Sequence, residues 1–466
     1  MIRGGTVIDP EGGLVTVANV AARDGVIVRV TREEIPPCES AEFIDATGKV
    51  VSPGFIDIHA HVDGYEYSAR CMALQGVTTT IGGNCGISPF PIGAFLDEID
   101  AKGFPINQGM FVGHSFMLRE KVGAVNRYAP ATRDQIAQMC DLAEQALSEG
   151  ALGISFGLEY SPGTSWEEIV RLARVAARYG KLVAVHARAD GWGGPGAFRE
   201  AIRITEETGA PLQVSHVAYM VGMGMMAEGL SVLDDAVERG LDVTADSGLY
   251  HAFATFVGSA VFDDWPQKYG ASFEDLTIAT GSHAGARCDR DLFYRLREEE
   301  PEAVVVAFVG REDEIPQALS RPYMMVSSDG GVGSPKPGTG HPQDAGTFPK
   351  LFSRYVREEG RLTLLEAVRR VTALPAKRLG LVTKGTIRPG ADADIVVFDP
   401  KRIKDRSDYP GFGVPDVPPD GIEYVVVNGV LVVDRGHIVE GARPGRSVRR
   451  QNSIWEYPPD DSTRPF

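Results

Sequence analysis

Two rhythms of hydrophobic and polar positions divide the chain. Near its start, GGTVID, ANVAARDGVIVRV and AEFIDATGKVV alternate β-branched with polar residues between Gly and Asp-Gly breaks. The same texture returns in GADADIVVFDP, EYVVVNGVLVVDRG and HIVEGA near its end. Such runs predict short strands, and Asn428-Gly429 predicts a hairpin turn. About 50 residues at each end are thin for independent stability. Residues 1–52 and 384–443 are therefore expected to build one small β-sandwich, with two separate terminal β-domains as the alternative.

The middle has a longer period. Thr132-x-x-Gln135 and Ser165-x-x-Glu168 read as capping boxes ahead of apolar residues at helical spacing, with Gly150 and Gly180 as stops. FREAIRITEETG and GLSVLDDAVERG read as helices, and KLVAVHARAD, PLQVSHVAYM and LDVTADSG as strands. This alternation predicts an α/β fold with a parallel sheet, and its length over residues 53–383 favours a (β/α)8 TIM barrel. Residues 444–466 are polar and Pro-rich and read as an extended tail, with Trp455 and Tyr457 as docking points.

Charge and composition narrow the function. Lys and Arg number 47 against 63 Asp and Glu, a net charge of −16, which argues against nucleic acid and anionic membranes as partners. Five cysteines without paired spacing do not make a disulfide scaffold and point to a reducing, cytoplasmic setting. The N-terminal segment does not read as a signal peptide, and no window reads as a membrane span. GWGGPG and GGVGSPKPGTG lack the Lys-Ser/Thr of a phosphate loop.

The chemistry gathers where apolar runs end. FIDIHAHV reads as a strand that turns His59 and His61 to one side, as a chelating pair or as hydrogen-bonded core histidines. Cys85 follows the TTTIGG run; alone it is a small buried hydrophobe, and at a barrel strand's end it is a zinc ligand. His186 and His216 end KLVAVH and LQVSH, one βα unit apart. Together the four histidines favour a metal centre. Asp329, after PYMMVSS and before a Gly pair, is either a turn former or a general base. Met220, Met223, Met225 and Met226 form either a surface turn or a pliable apolar lip on a pocket. Cys38, Cys71, Cys140 and Cys288 read as bystanders.

PGFIDIHAHVD, followed much later by KGTIRPGADADIVVFDP, resembles the amidohydrolase superfamily from about residue 3 to residue 440. GGNCGISP, VGHSFMLR, EGALGISFGLEYSPG, SSDGG and HPQDAGTFPKL are similar to its D-aminoacylase branch. The resemblance implies a distorted (β/α)8 barrel with a β-sandwich from both termini, zinc at the barrel mouth and a small-molecule amide substrate. Many amidohydrolases carry a carbamylated lysine after the fourth strand; ALGISFGLEY has none, and Cys85 matches the cysteine of the branch. The resemblance further implies a tight zinc site of Cys85, His186 and His216. A second, weaker site would use His59, His61 and Asp329, with Cys85 as a candidate shared ligand and Asp329 also the catalytic base. Tyr160, Arg188 and Tyr250 fall at substrate-side positions.

Three departures lie on that substrate side: Ala218 where a lysine is usual, Asp246-Ser-Gly-Leu-Tyr250 for DxYPY, and MVGMGMM for a more polar stretch. The implied reaction is deacylation of an N-acyl-D-amino acid. Opening of a cyclic amide, cleavage of a larger amide or carbamate, and a non-catalytic scaffold remain as alternatives. A homo-oligomer is compatible with all of them.

Overall fold

A computed structural model describes residues 1–35 and 42–449 of the chain. The readings of Cys38 and of Trp455 and Tyr457 in the tail lie outside these residues. Both chain ends enter one nine-stranded sheet. Ile2–Asp9 pairs antiparallel with Leu14–Arg23 and parallel with Val50–Pro53, which pairs antiparallel with Ile395–Phe398. Ile422–Val427, Val430–Asp434 and His437–Ile438 continue the sheet on that side. Asn428 and Gly429 both have positive φ, 47° and 80°, the geometry of the expected tight hairpin.

Eight strand positions of the middle run parallel. Phe55–Asp57 pairs with Val77–Gly82, and that with Asn107–Met110. After a one-residue break at Phe111 the ladder resumes at Val112–Gly113. It then runs through Gly153–Gly157, Leu182–His186, Leu212–Val214, Val243–Ser247 and Met324–Val326. The first and last members are tied by backbone bonds: the Asp329 N–H donates to the His59 carbonyl (2.9 Å) and the His61 N–H to the Gly330 carbonyl (2.7 Å). Phe55 stacks on Phe348 and Phe352 at 5.8 and 5.4 Å, joining the first strand to later helical turns. Ser447–Val448 adds a parallel edge strand beside Asn107–Met110, so the chain stays docked past residue 443.

Several local expectations are corrected. FIDIHAHV is a strand only over Phe55–Asp57, because the Asp57 carboxylate accepts from the His59 N–H (3.2 Å) and the Ser328 N–H (3.1 Å) and bends the chain. PLQVSHVAYM is a strand only at Leu212–Val214; His216 takes φ 32° and starts the helix Val217–Val221. Thr132 forms its capping box. Ser165 caps the Glu168 N–H, but the Glu168 side chain turns away to Arg119 (2.7 Å) and His114 (2.8 Å). Between Ser247 and Met324 the chain also builds an insertion with its own antiparallel sheet, Phe253–Phe256, Val304–Ala307 and Leu276–Ile278, which the helix–strand rhythm did not announce.

Candidate metal centre

The loops leaving the parallel strands converge on one buried cluster. Cys85, His216 and Asp329 all sit in left-handed backbone, with φ of 52°, 32° and 57°. Such residues cost about 1–3 kcal/mol each and persist where the surroundings hold them. His216 is held by its N–H, which donates to Asp246 Oδ1 (2.9 Å). Asp246 in turn accepts from Gln213 Nε2 and Ser327 Oγ, both at 2.7 Å.

Cys85 Sγ lies 3.4 Å from His59 Nε2, 3.7 Å from His186 Nδ1 and 3.5 Å from His216 Nε2. Asp329 Oδ1 lies 3.2 Å from Nε2 of both His59 and His61. Cys85, His186 and His216 keep their ligand atoms within 4.8 Å of one another, as do His59, His61 and Cys85, and His59, His216 and Asp329. Burial alone would raise the Cys85 thiol, but the charge and hydrogen bonds of His59, His186 and His216 outweigh it and hold the thiol well below its ordinary range. Burial likewise opposes ionisation of Asp329, and His59 and His61 outweigh it, so Asp329 is a carboxylate at neutral pH. The buried Nδ1 atoms of His59 and His216 have no hydrogen-bond partner among the described residues. One thiolate and converging imidazoles suit zinc, which prefers nitrogen and sulfur donors.

Behind this cluster stands a polar network that no sequence signal announced. His186 Nε2 lies 3.1 Å from Glu159 Oε2, and the other Glu159 oxygen is ion-paired with Lys268. The neighbouring Tyr269 hydroxyl donates to Asp190 (2.6 Å). Lys268 and Tyr269 belong to the insertion helix Trp265–Tyr269. Burial and the Glu159 charge push Asp190 up to about 8. Glu159 adjoins the anticipated Tyr160, but nothing in its local pattern marks it as a partner of His186.

A cavity opens over the cluster, lined by His61, Cys85, His186, His216 and Asp329 and by groups from the insertion. Tyr160 lines it, its ring 4.8 Å from His186 and its hydroxyl 2.8 Å from Thr255 Oγ1. Arg188 and Tyr250 do not line it. Arg188 pairs with Glu200 (2.8 Å) and donates to the Pro162 carbonyl (2.9 Å). Tyr250 is buried edge-on to His341 and Tyr409, with Lys350 Nζ 4.0 Å from its ring centroid. The methionine cluster divides: Met220 lines the cavity, whereas Met226 is buried at the start of the helix Met226–Glu238.

The amidohydrolase family pattern matches residues 42–286 and 312–433, covering the cluster and both flanks of the insertion. The chain belongs to the amidohydrolase family. This amidohydrolase is 32% identical to the N-acyl-D-glutamate deacylase of Alcaligenes xylosoxydans xylosoxydans over 97% of each chain. It is 30% identical to the D-aminoacylase of the same organism, again over 97% of each. Among solved structures it resembles the N-acyl-D-glutamate deacylase from Bordetella bronchiseptica, complexed with zinc and a phosphonate mimic of the tetrahedral intermediate. The TM-score is 0.85 and the identity 32%, covering 96% of this chain and 99% of that one. No helix among the described residues is long and apolar enough to cross a membrane.

Proposed function

We propose that this amidohydrolase is a zinc-dependent deacylase of N-acyl-D-amino acid derivatives, cleaving the amide between acyl group and amine. The observation that carries the reading is the convergence of Cys85, His186, His216, His59, His61 and Asp329 under one cavity. We assign a tight zinc site to Cys85, His186 and His216, and a weaker second site to His59, His61 and Asp329. Zinc held there supplies Lewis acidity. Asp329 takes the proton of the attacking water and passes it to the leaving nitrogen as the amide C–N bond breaks, giving a carboxylate and a free amine. The low-lying Asp329 carboxyl supports this, because a base must start unprotonated. We assign Tyr160 as a donor to the amide carbonyl oxygen as negative charge builds there.

The reading includes closure of the eight parallel strands into a distorted barrel over residues 53–383, with a small β-sandwich from residues 1–52 and 384–443. The backbone bonds between the His59 and Asp329 segments support closure. The strongly acidic charge balance supports a small-molecule substrate over nucleic acid. The test is hydrolysis by zinc-loaded protein of N-acetyl-D- and N-acetyl-L-amino acids, their amides, and hydantoins. Turnover of D-compounds alone is expected; turnover of hydantoins alone would replace this reading with that of a cyclic-amide hydrolase.

A further inference from the structure

Apart from the metal-binding groups and the hydroxyls of Tyr160, Tyr219 and Thr255, the cavity wall is apolar. Phe253, Phe256 and Val261 come from the insertion, Met220 from the helix Val217–Val221, and Ile87 and Val332 from loops. Among the described residues, no lysine or arginine lines it. Cations on nearby segments are already engaged: Arg188 with Glu200 at 2.8 Å, Lys268 with Glu159, and Lys350 with Glu312 at 3.6 Å. Ala218, on the helix that follows His216, adds no charge.

Neutral donors among the described residues are few, and only the Tyr160–Thr255 pair keeps a hydroxyl proton to offer. The Tyr219 hydroxyl donates to Gln343 Oε1 (2.9 Å), and the Tyr160 and Thr255 hydroxyls face each other at 2.8 Å. A carboxylate entering this space would lose its water against a wall that offers it no lysine or arginine. An unpaired charge is expelled from such a place. An apolar side chain meets no such opposition, and an uncharged carboxamide costs far less to bury than an ion.

We infer that the substrate carries no free carboxylate beside the scissile amide: it is an N-acyl-D-amino acid derivative with an apolar side chain and a masked carboxyl group, such as an amide or ester. This rests on the deacylase reading and specifies its substrate. It also separates this chain from a deacylase of acidic D-amino acids.

The test compares acetate release by zinc-loaded full-length protein from N-acetyl-D-leucinamide, N-acetyl-D-leucine and N-acetyl-D-glutamate. Acetate, not ammonia, reports the acyl bond. The leucinamide is expected to exceed the leucine in kcat/KM by about tenfold or more, and the glutamate to be slowest. Equal or better use of either acid overturns the inference and leaves the deacylase reading standing. Silence on all three overturns both. Phe256→Arg, which puts a cation on the wall away from the metal groups, should shift the preference toward the acids. An unchanged amide-to-acid ratio in a variant that still binds zinc counts against the wall as its cause.

Discussion

Glu159 Oε2 stands 3.1 Å from His186 Nε2, so the imidazole is gripped at its outer nitrogen while Nδ1 faces Cys85 at 3.7 Å. The grip favours the tautomer with its proton on Nε2, so that Nδ1, 2.9 Å from His216 Nε2, can share a cation with it. Lys268 of the insertion in turn holds Glu159. The segment that supplies part of the cavity wall is thereby tied to the metal cluster.

Glu159→Gln should weaken zinc binding about 10- to 100-fold, the usual cost of losing such an orienting carboxylate. Chelator competition reads this directly. Lys268→Met should lower Tm more than Lys268→Arg, which keeps the charge on Glu159. Zinc affinity unchanged in Glu159→Gln would show that packing alone holds the His186 ring.

Asp329→Asn should lower kcat about 10²- to 10⁴-fold, the range for loss of a general acid–base group. Zinc at the tight site should persist, because Cys85, His186 and His216 are untouched. Metal analysis and turnover on the same sample check both halves. Near-normal kcat would remove Asp329 from the chemistry.

Zinc should stabilise the fold. The donors are buried together, and a ligand bound only by the native state adds about 2.7 kcal/mol at a hundredfold excess over its Kd. Tm should fall on chelation and recover on adding zinc. Cys85→Ser should lose most of this response.

His341 should mark an acid limit to stability. Burial first of all pushes it down to about 3, and its Nδ1 accepts from the Gln343 N–H (3.0 Å) while Nε2 donates to the Ala252 carbonyl (3.0 Å). Its ordinary value is 6.5, so below that pH the unfolded chain binds the proton that the folded ring refuses. Its stabilisation is complete above about pH 6.5 and is lost as pH falls toward 3, by about 1.4 kcal/mol per unit. Urea unfolding at pH 7.5, 5.5 and 4.5 should give a flatter pH dependence for His341→Asn than for the natural chain. Equal slopes would place the titration elsewhere.

The chain's local signals reached the parts that local chemistry governs. β-branched runs marked the strands Leu182–His186 and Leu212–Val214, with His186 at the end of one and His216 just past the other, because a strand delivers the side chains at its end to the loop that follows it. The Asn428-Gly429 pair marked its hairpin because both residues tolerate positive φ. The same signals overran where another segment intervened. The Asp57 carboxylate stopped its strand by taking N–H groups from His59 and Ser328, the second of them 271 residues away.

The sequence by itself therefore determined the strand–helix alternation, the pairing of similar strand textures at the two ends, and the histidines, cysteine and aspartate that lie together in one cluster. These follow from periodicity and side-chain type, which act over a few residues. Only the tertiary structure decided which charges face the cavity. Arg188 turns to Glu200, and Lys268 crosses 109 positions of sequence to reach Glu159. A long flexible cation goes to whichever carboxylate the fold brings within reach, and that choice is made after the chain has closed around it.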